Sequence, residues 1–101
     1  MKWFKVLERS SQIGEGEVME VHAGNRKLAV SKVDGVICAL DGVCAHEGGP
    51  LGRGSIKNGH IICPWHGWEF DSCSGQYLYN SAKGVESFPV EVREGGVYVG
   101  V

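Results

Sequence analysis

Long hydrophobic runs are absent from this sequence, in which no stretch of about 18 apolar residues occurs. A transmembrane helix needs such a stretch, so the sequence predicts no membrane span. Residues 1–7 contain too few apolar side chains for a signal peptide, and no twin-arginine pair precedes such a segment. We therefore expect a cytoplasmic protein with no membrane partner.

A strong excess of either charge is also absent. The chain has 10 Lys and Arg residues against 12 Asp and Glu residues, and both signs are mixed along its length. Without a basic stripe, a nucleic acid is a poor candidate for a partner. The 101 residues, of which 43% are apolar, predict a single folded domain, residues 1–101, with one modest core.

A sustained helical period is missing as well, and the pattern predicts an all-β fold. Sixteen glycines punctuate short β-branched runs. Asp34-Gly35 and Asn58-Gly59 are each typical of two-residue hairpin turns, Glu94-Gly95-Gly96 predicts a further hairpin, and residues 77–87 are expected to form a surface loop. The predicted strands are 3–7, 17–22, 27–33, 36–40, 55–57, 60–62, 68–71, 90–93 and 97–101.

Two loops interrupt the strand pattern, and each contains one cysteine and one histidine. Cys44 and His46 form a C-x-H pair, and Cys63 and His66 form a C-x-x-H pair sixteen residues further on. The predicted hairpin at 55–62 would present both loops at one end. Two thiolates can hold one iron of a two-iron centre and two imidazoles the other, so this set suits a [2Fe–2S] cluster.

The paired motif resembles that of the Rieske iron–sulfur family. The flanking residues 44–51 and 63–71 are similar too, as are the turn Ser74-Gly75 and the run Phe88-Pro89-Val90 that leads into a final hairpin. The resemblance covers nearly the whole chain. It implies a Rieske-like antiparallel β-sandwich with an inserted cluster-binding subdomain of two loops, at about residues 41–72.

The same resemblance implies one Rieske-type [2Fe–2S] cluster. Cys44 and Cys63 would bind the buried iron, while His46 and His66 would bind the outer iron near the surface. No catalytic candidates remain after these four residues are assigned. For this reason, and because the chain is too short for a terminal oxygenase, we expect an electron-transfer protein rather than an enzyme.

Departures from the respiratory members of the family predict a low reduction potential. Gly49 and Trp65 stand where those proteins have disulfide-linked cysteines, and Trp68 and Phe70 stand where they have a serine and a tyrosine whose hydroxyls donate to the cluster. Losing donors disfavours the more negative reduced cluster. The pattern is similar to soluble Rieske ferredoxins of bacterial oxygenases, although Asn80–Gly84 lacks the proline of their third loop.

Several functions are compatible with this chemistry. The leading interpretation, taken from the resemblance, is a ferredoxin that carries single electrons from a flavin-dependent reductase to an oxygenase. The alternatives are a small electron-transfer subunit of a nitrite-reductase-like enzyme and a redox-sensing iron–sulfur module. Zinc could also use two cysteines and two histidines, but zinc fingers usually pair like ligands in sequence.

Two further cysteines lie outside the motif. Cys38 falls in an apolar strand and is expected to be a buried structural thiol. Cys73 falls in a turn and is expected to be exposed. A redox-sensing role for either cysteine is the less expected alternative. A cytosolic location makes a disulfide framework the less expected use of either residue.

Overall fold

The computed structural model describes residues 1–45 and 48–101, which form twelve β-strands and two short 3₁₀ turns. The 3₁₀ turns are Ser10–Gln12 and Leu51–Arg53. The strands are β1 (Trp3–Leu7), β2 (Val18–Ala23), β3 (Arg26–Val33), β4 (Val36–Asp41), β5 (Ser55–Lys57), β6 (His60–Ile62), β7 (Glu69–Asp71), β8 (Gln76–Tyr77), β9 (Asn80–Gly84), β10 (Ser87–Phe88), β11 (Val90–Arg93) and β12 (Gly96–Gly100).

These strands form three sheets in which every described pairing is antiparallel. The first sheet has the order β1-β12-β11, and the central sheet has the order β10-β4-β3-β2. The third sheet, β5-β6-β7-β8-β9, carries the two motif loops. Across the described residues, no helix is both long enough and apolar enough to cross a membrane.

The central sheet is covered on both faces, because successive side chains along a strand point to opposite sides. Leu28 and Val30 of β3 and Ala39 of β4 pack into one core with the first sheet. Ala29 and Leu40, from the same two strands, pack into a second core with the third sheet. The second core therefore fixes the motif-bearing sheet against the rest of the molecule.

Cysteine side chains are part of that second core. Cys44 and Cys63 are both buried within it, at 3% and 2% relative exposure. Besides Ala29 and Leu40, its fully buried side chains come from the elements that flank the two loops: Leu51, Ile61 and Phe70.

The hairpin turns follow the sequence signals closely. Asp34-Gly35 and Asn58-Gly59 both have positive φ at each of their two residues, as this turn type requires. The last hairpin is tighter than predicted: Glu94-Gly95 forms a two-residue turn, since Gly96 already pairs with the residue opposite it in β11.

The predicted surface loop at residues 77–87 is wrong. This stretch instead contains β9 and is flanked by the two-residue strands β8 and β10. Gln76 pairs with Gly84, and Tyr77 pairs with Asn80 across an irregular register. These strands have too few alternating apolar residues to give a period-2 signal, and two of them, β9 and β10, lie at sheet edges.

Candidate metal centre

Loop one (residues 43–50) is closed on itself by backbone hydrogen bonds around Cys44. The Cys44 N–H donates to the Gly49 carbonyl at 2.9 Å, and the Gly48 N–H donates to the Cys44 carbonyl at 3.0 Å. Gly48 has φ 76°, a conformation that glycine adopts without a Cβ penalty. The cysteine is thus held at the inner side of the loop.

Loop two (residues 63–68) repeats this arrangement around Cys63. The Cys63 N–H donates to the Trp68 carbonyl at 2.8 Å, and the Gly67 N–H donates to the Cys63 carbonyl at 3.0 Å. Gly67 has φ 74°, which matches the glycine at the same offset in loop one. Two loops of different sequence therefore use the same backbone arrangement, four and five residues after the cysteine.

The two loops approach each other directly. A Cβ built on Gly49 of loop one would lie 2.8 Å from the Cys63 Sγ atom and 3.0 Å from Cγ of Trp65. The backbone at Gly49 therefore faces a buried sulfur of the other loop with no side chain between them. A thiolate-bound cluster held between the loops fits such a cradle, because backbone groups can approach its sulfurs.

Exposure changes sharply from the cysteines to the loop tips. Cys63 is buried, whereas His66 is exposed and Trp65 is 56% exposed. Ala45 in loop one is exposed as well, directly after buried Cys44. The loops therefore place sulfur on the inside and the described imidazole on the outside.

Three of the four predicted ligands can be located. Cys44, Cys63 and His66 lie in the two loops, whereas His46 lies outside the described residues. Within 1–45 and 48–101, no three Cys, His, Asp or Glu side chains come close enough together to hold a metal ion. The four-residue ligand set therefore stays a prediction.

The bases of the two loops meet at Gly54 and Ile62. Gly54 ends the 3₁₀ turn after loop one, and Ile62 directly precedes Cys63. A Cβ built on Gly54 would lie only 1.9 Å from the Ile62 carbonyl oxygen. This backbone contact, next to the β5–β6 pairing of Ser55 with Ile62, fixes the spacing of the loops.

An aromatic group supports loop two from below. The Trp68 ring stacks on Tyr77, with centroids 4.0 Å apart and planes inclined by 10°. Fully buried Phe70 packs against the same tyrosine at 5.7 Å. The ring of Trp68 is thus committed to packing, and its carbonyl holds the Cys63 N–H.

Strand β9 forms a third wall beside the two loops. A cleft of about 320 Å³ is lined by Ala45 of loop one, by Trp68, and by Ala82, Lys83 and Gly84 of β9. The Lys83 Nζ atom lies 5.9 Å from the centroid of the Trp68 ring. A proline-free strand therefore lines this cleft opposite loop one and Trp68.

The structure corrects the interpretation of the remaining cysteines, because Cys38 and Cys73 form a disulfide. Their Cα atoms are 5.0 Å apart, within the range that a disulfide spans. Cys73 is exposed as predicted, but Cys38 is half-buried and is not a thiol. Only the tertiary packing of β4 against the turn after β7 brings them together, so no local sequence signal pointed to the bond.

Residues 2–89 match the family described as the Rieske [2Fe–2S] domain. The chain belongs to the Rieske [2Fe–2S] domain family. This confirms the resemblance drawn from the two motifs and the expected Rieske-type [2Fe–2S] cofactor.

Ferredoxin components are among the Rieske relatives. The chain is 31% identical over 94 residues to the ferredoxin component of the naphthalene 1,2-dioxygenase system of Pseudomonas putida, covering 92% of this chain and 89% of that protein. It also matches a chain in the solved complex of reduced oxygenase and oxidized ferredoxin of carbazole 1,9a-dioxygenase. That match has a TM-score of 0.86 and 33% identity, covers 96% of this chain and 91% of that chain, and confirms the all-β Rieske fold.

A larger protein is similar over part of its length. The oxygenase component of dicamba O-demethylase from Stenotrophomonas maltophilia is 39% identical over 74 residues. The match covers 65% of this chain and 22% of that protein. The shared portion is therefore a small part of the larger protein.

Proposed function

We propose that this protein is a Rieske ferredoxin that carries single electrons to an oxygenase, with one [2Fe–2S] cluster on Cys44, His46, Cys63 and His66. One observation supports this most directly. Two loops with the same backbone hydrogen bonds bury Cys44 and Cys63 in one core, while His66 is exposed at the tip. Sulfur inside and imidazole outside is the order that a histidine-edged electron carrier needs.

The bound cluster supplies reversible one-electron chemistry, and the chain supplies its placement. The second core keeps water from the cysteines, since its other members are fully buried. The exposed loop tips leave the histidine side open to a partner. No residue is proposed to be catalytic, and the four ligands only bind the cluster, in keeping with an electron carrier rather than an enzyme.

The partners we propose are an oxygenase as electron acceptor and a flavin-dependent reductase as donor. The acceptor is supported by the relatives, which include a dioxygenase-system ferredoxin component and a chain solved in a complex of oxygenase and ferredoxin. The donor rests on the family resemblance alone. Neither a membrane nor a nucleic acid is among the proposed partners.

The proposed domain is a single Rieske domain at residues 1–101, with its cluster-binding part at about residues 41–72. The family match over residues 2–89 supports one domain of this type. A cytoplasmic location stays a prediction.

The ligand set is tested by comparing His66 with a histidine outside the loops. His60, in β6, contacts the Asn58 carbonyl through its own Nδ1 at 3.0 Å and serves as the matched control. We expect His66→Ala and His46→Ala to lose the visible and paramagnetic signals of the cluster, and His60→Ala to keep them. A full signal in His66→Ala would contradict the ligand assignment.

The electron-transfer role is tested in a reconstituted system. The purified protein is mixed with NADH, a flavin-dependent ferredoxin reductase and the oxygenase component of a bacterial aromatic-ring dioxygenase. We expect rapid bleaching of the oxidised cluster and substrate oxidation that depends on the added protein. A cluster that neither the reductase reduces nor the oxygenase reoxidises would contradict the shuttle role.

A further inference from the structure

The Cys38–Cys73 disulfide encloses the whole proposed cluster-binding part. Its two cysteines are 35 positions apart in sequence, and all four proposed ligands fall between them. Cys38 lies in β4 of the central sheet, and Cys73 lies in the turn that joins β7 to β8 of the third sheet. The bond is therefore a covalent link between two sheets and closes a ring around both motif loops.

The turn that contains Cys73 is well ordered by local hydrogen bonds. The Asp71 Oδ1 atom accepts from the N–H groups of Cys73 at 3.0 Å and Ser74 at 2.8 Å. The Gly75 N–H donates to the Asp71 carbonyl at 2.9 Å. The disulfide thus attaches a compact turn, rather than a loose segment, to the central sheet.

The same turn positions β9, the third wall beside the loops. The Val85 N–H donates to the Gly75 carbonyl at 2.9 Å. A Cβ on Gly75 would lie 2.2 Å from the Val85 carbonyl oxygen, so the two backbones lie in direct contact. Lys83 and Gly84, just before Val85, line the cleft beside Ala45 of loop one. A continuous set of contacts therefore joins the disulfide to the site.

The two cysteines of the bond differ in exposure. Cys73 is exposed and its sulfur lies 3.9 Å from the Ser72 hydroxyl, whereas Cys38 is half-buried, so Cys73 is the side from which a thiolate would approach. The buried hydroxyl of Ser31, which has no hydrogen-bond partner among the described residues, lies directly opposite Cys38 in the β3–β4 ladder. Side chains at such paired positions are near neighbours, so this hydroxyl is placed to hydrogen-bond a Cys38 thiol.

We propose that Cys38–Cys73 is a thiol-exchange site whose oxidation state sets how firmly the protein retains its cluster. The proposal rests on the ferredoxin function given above. Disulfides of cytosolic proteins are usually transient or redox-sensing, which fits an exposed bond in a chain predicted to be cytoplasmic. The co-reactant is a dithiol, either a small molecule or a protein of the disulfide-reductase class.

The exchange proceeds in two steps. A thiolate of the dithiol attacks the Cys73 sulfur, the Cys38–Cys73 bond breaks, and Cys38 leaves and takes up a proton. The second thiol of the reductant then displaces Cys73, which also takes up a proton. The reductant ends as a disulfide, and its two electrons and two protons are on the Cys38 and Cys73 thiols.

Opening the ring removes the covalent link between the Cys73 turn and the central sheet. The turn and β9 are then held by hydrogen bonds and packing alone. A disulfide that closes a loop of this length typically shifts the equilibrium between folded and unfolded chain by more than a factor of ten. We therefore expect the cluster to be lost to an iron chelator on the order of tenfold faster from the dithiol form.

The test uses the full chain with its cluster, isolated without added thiol. Wild type and the double variant Cys38→Ser/Cys73→Ser are each incubated with an iron chelator, with and without dithiothreitol, while visible absorbance is followed. Thiol labelling and mass spectrometry report the state of the bond. Paramagnetic resonance of the dithionite-reduced samples shows that both proteins start with the same cluster.

We expect dithiothreitol to accelerate cluster loss in wild type and to leave the double variant, which loses its cluster fast in both conditions, unchanged. Hydrogen exchange at residues 76–85 should also be faster in the dithiol form. Equal rates of cluster loss from the disulfide and dithiol forms of wild type would overturn the proposal. So would an equal acceleration of cluster loss by dithiothreitol in the double variant. A failure of Cys38 and Cys73 to form their disulfide after treatment with a mild oxidant would also overturn it.

The hydrogen-exchange measurement separates this proposal from the ferredoxin function. If the chain contained no iron or sulfide, the ferredoxin function would fail, and equal hydrogen exchange at residues 76–85 in the disulfide and dithiol forms would then reject the disulfide proposal as well. If the cluster were normal and only the redox dependence were missing, the ferredoxin function would stand alone.

Discussion

Replacing Gly54 with alanine should separate the two motif loops. A Cβ at this position would lie 1.9 Å from the Ile62 carbonyl oxygen and 3.2 Å from that of Leu51. Carbon–oxygen contacts normally begin at roughly 3.3 Å, so the backbones would have to separate by about 1.4 Å. Neither backbone can yield easily, because Ser55 pairs with Ile62 in the β5–β6 ladder.

The cost of this overlap is at the upper end of what overpacking produces. Overpacked sites typically lose about 1–3 kcal/mol and occasionally more, and here the contact atom belongs to the backbone rather than to a flexible side chain. We expect Gly54→Ala to lose about 3 kcal/mol or more, out of a total stability of roughly 5–15 kcal/mol. For a chain of this size that lowers the apparent Tm by roughly 12 °C or more.

Gly96→Ala is a matched control for this variant. Its Cβ would lie 2.7 Å from Cε of Lys5, the far end of a flexible side chain that can move away. The assay is iron and acid-labile sulfide per chain, together with the apparent Tm of each variant. If Gly54→Ala retained a full cluster and melted at the same temperature as Gly96→Ala, the argument that this contact sets the loop spacing would be refuted.

Three further variants test the packing, the potential and the acid response. Phe70→Ala should lose about 3–5 kcal/mol because the ring is fully buried, and a change in the urea midpoint no larger than that of a surface substitution would contradict this. The midpoint potential of the wild type should lie below zero, in the lower part of the range of about −150 to +300 mV. The potential of Trp68→Ser should be higher than that of Trp68→Ala, since both variants lose the stacking on Tyr77 but only serine adds a hydroxyl. Equal potentials for the two variants would exclude the hydroxyl effect. Hydrogen bonds from the N–H groups of Ser74 and Cys73 lower the pKa of Asp71, against the opposing effect of partial burial. The ionised carboxylate therefore stabilises the fold above the unfolded pKa of about 3.9, and this stabilisation is lost as the pH falls through the folded pKa. The Tm difference between wild type and Asp71→Asn should therefore shrink on acidification below pH 4, and a constant difference would contradict the linkage.

The motif loops could be identified from sequence because their chemistry lies in short runs. Cys44 and Cys63 each sit at the start of a loop whose glycines permit the turn, and the Asn58-Gly59 turn fixes the register of the hairpin between them. Local signals of this kind act over a few residues, so they survive in a single sequence. The burial of both cysteines in one core follows from the same hairpin.

The disulfide and the strands that follow it cannot be predicted from the sequence, for a common physical reason. Cys38 and Cys73 come together only when the third sheet packs on the central one, which no local pattern encodes. The strands β8 and β10 have only two residues each, too few to show a periodicity, and they form by pairing with β7, β9 and β4. The expected cytoplasmic location also favoured thiols, although it is compatible with a bond that exchanges.

The central claim, that two sulfurs and two imidazoles hold the cluster, is tested most directly by pulsed electron paramagnetic resonance. The measurement uses dithionite-reduced protein in which only histidine carries ¹⁵N. We predict that two histidine nitrogens, from His46 and His66, couple to the unpaired electron. His46→Ala and His66→Ala should lose this signal, while His60→Ala keeps both couplings. A cluster with no histidine coupling, or couplings that persist unchanged in His66→Ala, would contradict the account.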